Sequence, residues 1–187
     1  MVLRALALAL LSLTLLFSGC GGDDATKSQP TSAKQAKPAA GDLADARNVL
    51  SPFLAFGADT ATLTAKLRPQ TFHYRRIFNS EAAGRVDASL GPHWDANRIR
   101  IAPQPGQTEL VLWRATGLEL QQGTGDSQQF SPELRAMAEH LKRDAVFVKF
   151  RFAAPGQSEG MAYEGLVFAR ERWSFVPKPW MALQAQQ

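Results

Sequence analysis

Eight residues towards the C-terminus, Ala145–Phe152 (AVFVKFRF), constrain the fold of this chain more than any other stretch. Side chains alternate along an extended backbone, so Val146, Val148, Phe150 and Phe152 face one way, and Phe147, Lys149 and Arg151 face the other. That pattern predicts a strand with one face buried. The segments after it supply its partners. Ala154–Gly160 (APGQSEG) reads as a turn, Met161–Arg170 (MAYEGLVFAR) as a returning strand, Glu171-Arg172 as a second turn, and Trp173–Pro177 (WSFVP) as a third strand. Three such strands in sequence form an antiparallel meander.

Upstream the period changes. Leu43, Ala46, Leu50, Phe53 and Leu54 recur at steps of three and four, which predicts a helix from Asp42 that Pro52 interrupts or restarts, with Ser51 as a cap. Asp59 caps a second helix carrying Leu63 and Leu67 and stopped by Pro69. Thr71–Phe78 forms a third, and Ser80 opens a fourth that runs towards Leu90 and ends at Gly91-Pro92. After residue 97, Ile99 and Ile101 alternate with Arg98 and Arg100, and Glu109–Arg114 (ELVLWR) reads as a strand buried on both faces. One helix interrupts this region, with Ser131 as N-cap, Pro132 at its first position, and Leu134, Met137 and Leu141 on its inner face. The expected class is α+β, with N-terminal short helices packed on a curved antiparallel sheet that ends in a three-stranded meander. This order of elements resembles the cone-shaped NTF2-like and cystatin-like folds.

The N-terminus carries a different message. A basic start with Arg4, an apolar run over Ala5–Phe17 and the small residues Ser18 and Gly19 precede Cys20, the only cysteine in the chain. A spanning helix needs about 20 apolar residues, so this run predicts targeting rather than a permanent span. Phe17-Ser18-Gly19-Cys20 resembles the lipobox of bacterial lipoprotein precursors, with Phe17 where that family prefers leucine. The resemblance implies cleavage between Gly19 and Cys20, a lipidated Cys20, and attachment to a membrane through several acyl chains. It also implies the outer membrane facing the periplasm, because Gly21 rather than aspartate follows the cysteine; the inner membrane is the second expectation. Residues 21–41 hold no large apolar side chain and read as a flexible tether, with lysines at 27, 34 and 37. Three segments are therefore expected: a signal peptide at 1–19, a lipidated cysteine and tether at 20–41, and a single globular domain at 42–187.

Composition narrows the function. A net charge of +4 over 187 residues is too dilute for a nucleic-acid binder, which concentrates basic residues on one face. Gly156-Gln157-Ser158-Glu159-Gly160 matches the nucleophile-elbow pattern, but Ser158 falls between two strands, and His73, His93 and His140 all precede it. The elbow chemistry needs a strand-to-helix turn and a histidine after the serine. Gly123–Ser127 lacks the lysine of a phosphate loop and reads as a turn. The histidines show no metal-ligand spacing, so no metal and no cofactor are expected.

The candidate ligand-binding residues are His73, Arg75 and Arg76 in one group and His93 and Trp94 in the other, with Arg98 and Arg100 as further anion contacts. Trp173, Trp180 and Tyr163 near Pro177-Lys178-Pro179 read as a C-terminal segment that folds back to seal the core. The expected function is a lipid-anchored envelope lipoprotein whose periplasm-facing domain binds or scaffolds an envelope protein or a small ligand. The alternative is a small enzyme that uses His73 or His93 as a base in a cone-shaped pocket.

Overall fold

The computed structural model describes residues 40–184. The signal peptide, its processing site at Gly19 and Cys20, and the tether up to residue 39 lie outside the described residues, as do residues 185–187.

Four helices open the domain, each placed by a local signal. The Asp42 carboxylate accepts the Asp45 N–H at 2.7 Å and starts α1 (Leu43–Leu50). A 3-10 turn over Ser51–Leu54 follows, with Pro52 near its start. Asp59 caps α2 (Thr60–Lys66) by accepting the Thr62 N–H at 3.0 Å. After α3 (Thr71–Ile77), Asn79 caps α4 (Ser80–Asp95). The fourth helix departs from expectation, because it runs through Gly91-Pro92 to Asp95. An internal proline costs about 3 kcal/mol. Burial of Leu90 and Trp94 on either side of it offsets that cost, at roughly 1.5–3 kcal/mol for each large side chain.

The sheet has four strands in the order β1 (Glu109–Thr116), β2 (Val146–Ala153), β3 (Gly160–Ala169) and β4 (Arg172–Phe175), every neighbouring pair antiparallel. The fold is α+β, and the sheet is a four-stranded meander. The second tight turn is Arg170-Glu171, one residue earlier than the sequence indicates, with Ala169 paired to Arg172.

Burial reverses the expectation for two strands. β2 is central and loses both faces to the interior, so Phe147, expected outward, is 0% exposed. β1 lies at the edge, and Val111–Arg114 are only half-buried. On one face Phe150 stacks on Tyr163 at 5.1 Å, with Phe152, Phe175 and Phe53 around them. α1 also reaches this sheet: Asp45 accepts the Trp173 indole N–H at 2.8 Å, and Arg47 donates to the Leu110 carbonyl.

The other face is covered by the chain between β1 and β2. Two α-helices lie here, not one: α5 (Gly117–Gln122) and α6 (Pro132–Ala136). A reciprocal cap holds α5, because Glu119 accepts the Thr116 N–H at 2.6 Å while Thr116 accepts the Glu119 N–H at 3.1 Å. Gly117 is required there, since a Cβ would sit 2.1 Å from the Lys142 carbonyl oxygen. Glu164 on β3 accepts from the Ser131 N–H and hydroxyl, and Lys149 on β2 donates to the Gln129 carbonyl. These bonds tie the covering layer to the sheet.

Arg98–Ile101 alternates in sequence but forms no strand. Side chains take the place of a ladder: Ile101 N–H donates to the Thr64 hydroxyl at 3.1 Å, and Ala102 N–H donates to the Tyr163 hydroxyl at 3.0 Å. The Tyr163 hydroxyl donates back to the Ala102 carbonyl.

The C-terminal helix α7 (Met181–Gln184) packs beside α4, where Arg85 donates to the Leu183 carbonyl at 2.6 Å. Among the described residues, the hydrophobic core and the side chains packed against it run from Leu43 to Leu183. Among the described residues, no helix is long and apolar enough to cross a membrane.

Candidate functional site

The seven residues of α3 divide cleanly between core and solvent. His73, Tyr74 and Ile77 are buried, while Phe72, Arg75 and Arg76, at i, i+3 and i+4, share the outer face. That outer face forms one wall of a cleft of about 500 Å³. The second wall is Lys142, Asp144 and Ala145, in the stretch leading into β2; the third is Ala169 and Arg170, at the turn between β3 and β4.

Four cationic side chains thus meet in one cleft, Arg75, Arg76, Lys142 and Arg170, with Asp144 as the one acid in its lining. Among the described residues, none of the four cations takes part in an ion pair or a side-chain hydrogen bond. Phe72 stands at the same cleft with its side chain 52% exposed. Arg170 and Glu171 both have positive φ, +49° and +79°, in a two-residue turn where asparagine and glycine are the residues of lowest cost. The fold therefore holds a guanidinium at this position against the local backbone preference.

His73 does not open into this cleft. It is 6% exposed, and its Nδ1 accepts the Gln70 N–H at 2.8 Å, fixing the start of α3. Burial, and then the charges of Arg172 and Arg76, hold its imidazole below the usual histidine range. Its chemistry is that of a neutral acceptor which positions the helix bearing Arg75 and Arg76. Tyr74 is buried beside it, and burial raises its phenol above the ordinary range.

His93 and Trp94 lie elsewhere. His93 lines a separate groove of about 370 Å³ with Arg98, Pro177, Lys178 and Met181. Trp94 is buried and borders a small hollow with Arg68 and Arg100. The two groups of candidates from the sequence are thus split, and of them Arg75 and Arg76 share the cleft with Lys142 and Arg170. His140 sits apart again, with its Nδ1 3.2 Å from the Asn79 amide nitrogen. Among the described residues, no three histidine, cysteine or acidic side chains come together to hold a metal.

No protein-family model, curated protein or solved structure matches this chain. The cleft must be judged on its own geometry.

Ser158 lies in the exposed loop between β2 and β3, where its backbone carbonyl accepts a bond from the Arg151 guanidinium. The C-terminal tryptophans serve packing: Trp173 is buried on Asp45, and Trp180 is half-buried against the core. Phe72, Lys142, Asp144 and Arg170 are the cleft residues that the sequence reading did not single out. The i, i+3, i+4 spacing of Phe72, Arg75 and Arg76 was the one local signal available. Lys142 and Arg170 lie 28 residues apart in sequence and meet only because β2 and β3 pair.

Proposed function

We propose that this chain is an envelope lipoprotein, lipidated at Cys20 and facing the periplasm from the outer membrane, whose folded domain binds an anionic group in the cleft of Arg75, Arg76, Lys142 and Arg170. The observation that carries the binding role is the convergence of four cations with no partner among the described residues. Four cations with Asp144 as the one acid in the same lining leave an excess of positive charge, and a bound anion relieves the repulsion among them. Arginine presents a planar fork of N–H donors that matches carboxylate and phosphate oxygens two at a time. The lipobox-like Phe17–Cys20 supports the address, and the absence of any second cysteine fits a thiol that is acylated rather than paired.

Native mass spectrometry of the protein extracted from its own membranes in mild detergent tests both halves. The expected spectrum shows a chain beginning at Cys20 with the added mass of several acyl groups, and a bound anion or anionic partner that is lost in Arg75→Gln/Arg170→Gln. A chain cut elsewhere without lipid overturns the address. A lipidated chain with no anionic adduct, or one that the double substitution leaves bound, overturns the binding role.

A further inference from the structure

The position of the cleft relative to the start of the domain says more about its ligand. Gly41, at the domain's entrance, packs against Phe168 so closely that a Cβ would lie 2.6 Å from the ring, and its N–H donates to Asp45 at 2.9 Å. Phe168 pairs with Val146 on β2 and with Trp173 on β4. The next residue, Ala169, already lines the basic cleft, and so does Ala145, the residue before Val146. Gly41 therefore packs against the residue that precedes Ala169 of the cleft lining.

Cys20 and Gly41 are separated by 20 residues of polar and small composition. A chain of that length and kind spans roughly 25 Å on average. An anchor at Cys20, as proposed above, would tether the chain within that reach of Gly41, which packs on the residue before Ala169 of the cleft lining. Phe72, a large apolar side chain left half in solvent beside Arg75 and Arg76, adds what interfacial surfaces combine with basic residues.

We infer that the basic cleft is a membrane-facing surface that takes the phosphate groups of anionic lipids in the bilayer to which the chain is anchored. The inference rests on the anion-binding and lipid-anchor readings above and names the ligand for the same cleft. Each arginine or lysine held near an anionic bilayer contributes on the order of fivefold to the partition constant, so four of them bring a weakly attracted domain to firm contact once the tether has removed the search.

The test uses residues 20–187 with Cys20→Ser, which keeps every described residue and carries no acyl chain, in co-sedimentation with vesicles of phosphatidylglycerol mixed into phosphatidylcholine and with vesicles of phosphatidylcholine alone. A parallel titration with glycerol 3-phosphate is followed by the amide NMR shifts of Arg75, Arg76, Ala169 and Arg170. Binding is expected to the anionic vesicles and not to the neutral ones, to weaken as salt is raised, and to fall about 25-fold or more in Arg75→Glu/Arg170→Glu. Thermal melting of that variant at the wild-type temperature shows that the fold is intact; if it melts lower, Arg75→Gln replaces it with an expected loss of about fivefold. Shifts with glycerol 3-phosphate but no sedimentation with anionic vesicles would overturn the membrane inference and leave the anion-binding reading standing. No response in either arm overturns both, and anionic-vesicle binding that survives the substitutions places the contact on another surface and overturns the inference.

Discussion

Two sets of arginines in this domain differ in partner rather than in type. Arg47, Arg85 and Arg172 each donate to backbone carbonyls, of Leu110, of Leu183, and of Lys66 and Arg68. They stitch α1 to β1, α4 to the C-terminal helix, and the α2–α3 connection to β4. Arg75, Arg76 and Arg170 meet at the mouth of a cleft and donate to no carbonyl or carboxylate among the described residues. A guanidinium whose hydrogen bonds are taken up by carbonyls contributes to stability and has little left for a ligand. One with open donors contributes little to stability and is available for recognition. Stability and binding should therefore separate residue by residue.

The largest expected effect is at a stitching residue. Arg47→Met leaves the Leu110 carbonyl on the edge strand without its charged donor, and should lower the unfolding free energy by about 1.5–3 kcal/mol in urea titration while anion affinity stays unchanged. Loss of affinity of the same size would erase the division between the two groups.

The turn at Arg170-Glu171 sharpens the contrast, because both effects should appear in one variant with opposite signs. Arg170→Asn/Glu171→Gly replaces two left-handed residues by the pair that the turn prefers, and should raise stability by about 1–2 kcal/mol. The same change should weaken anion binding, measured by calorimetric titration with glycerol 3-phosphate. A variant that is both more stable and an equally good binder would show that Arg170 has no part in the cleft.

His73 links the two groups, since it stabilises the helix that carries Arg75 and Arg76. Its imidazole titrates below the ordinary histidine value, so the unfolded chain takes up a proton first as the pH falls below about 6.5. The stability that neutral His73 contributes is present above that pH and is lost on acidification towards its folded-state value. His73→Gln should flatten the stability profile between about pH 7 and pH 5, read as melting temperature against pH. An unchanged slope would remove His73 as the source of acid sensitivity in that window; Glu119, held below the carboxylate range by the backbone N–H and hydroxyl of Thr116, loses its contribution only at lower pH, below about 4.5.

The smallest effect on stability is expected in the cleft itself. Arg75→Gln removes one of four like charges and should change the unfolding free energy by less than about 0.5 kcal/mol, with any shift in the stabilising direction. A destabilisation above 1 kcal/mol would reveal a structural role for Arg75 that its exposed position does not show.

Much of the fold was legible because its signals are local. Asp42, Asp59 and Ser131 announce helix starts through side chains that reach N–H groups three residues on, and the alternation of Val146–Phe152 announces a strand. Even α5 had a local signature, Thr116 followed by Glu119 three residues later, which the sequence reading passed over. The cleft was half legible: Arg75 and Arg76 were singled out, but grouped with His73, which turns inward, and set beside His93 and Trp94, which face other parts of the molecule.

The sequence by itself determined where helices begin, which segment forms the meander, and the α+β class, because caps and side-chain periods act over three or four residues. The tertiary structure alone decided the rest. It made β2 central and β1 an edge, since burial on a second face depends on which segment packs there. It carried α4 through Pro92, and it held Arg98–Ile101 out of the sheet by giving the Ile101 N–H to Thr64 and both polar groups of Ala102 to Tyr163. Above all it brought Lys142 and Arg170 to Arg75 and Arg76, because charges from three distant segments share a cleft only after strand pairing and helix packing have set the distances between them.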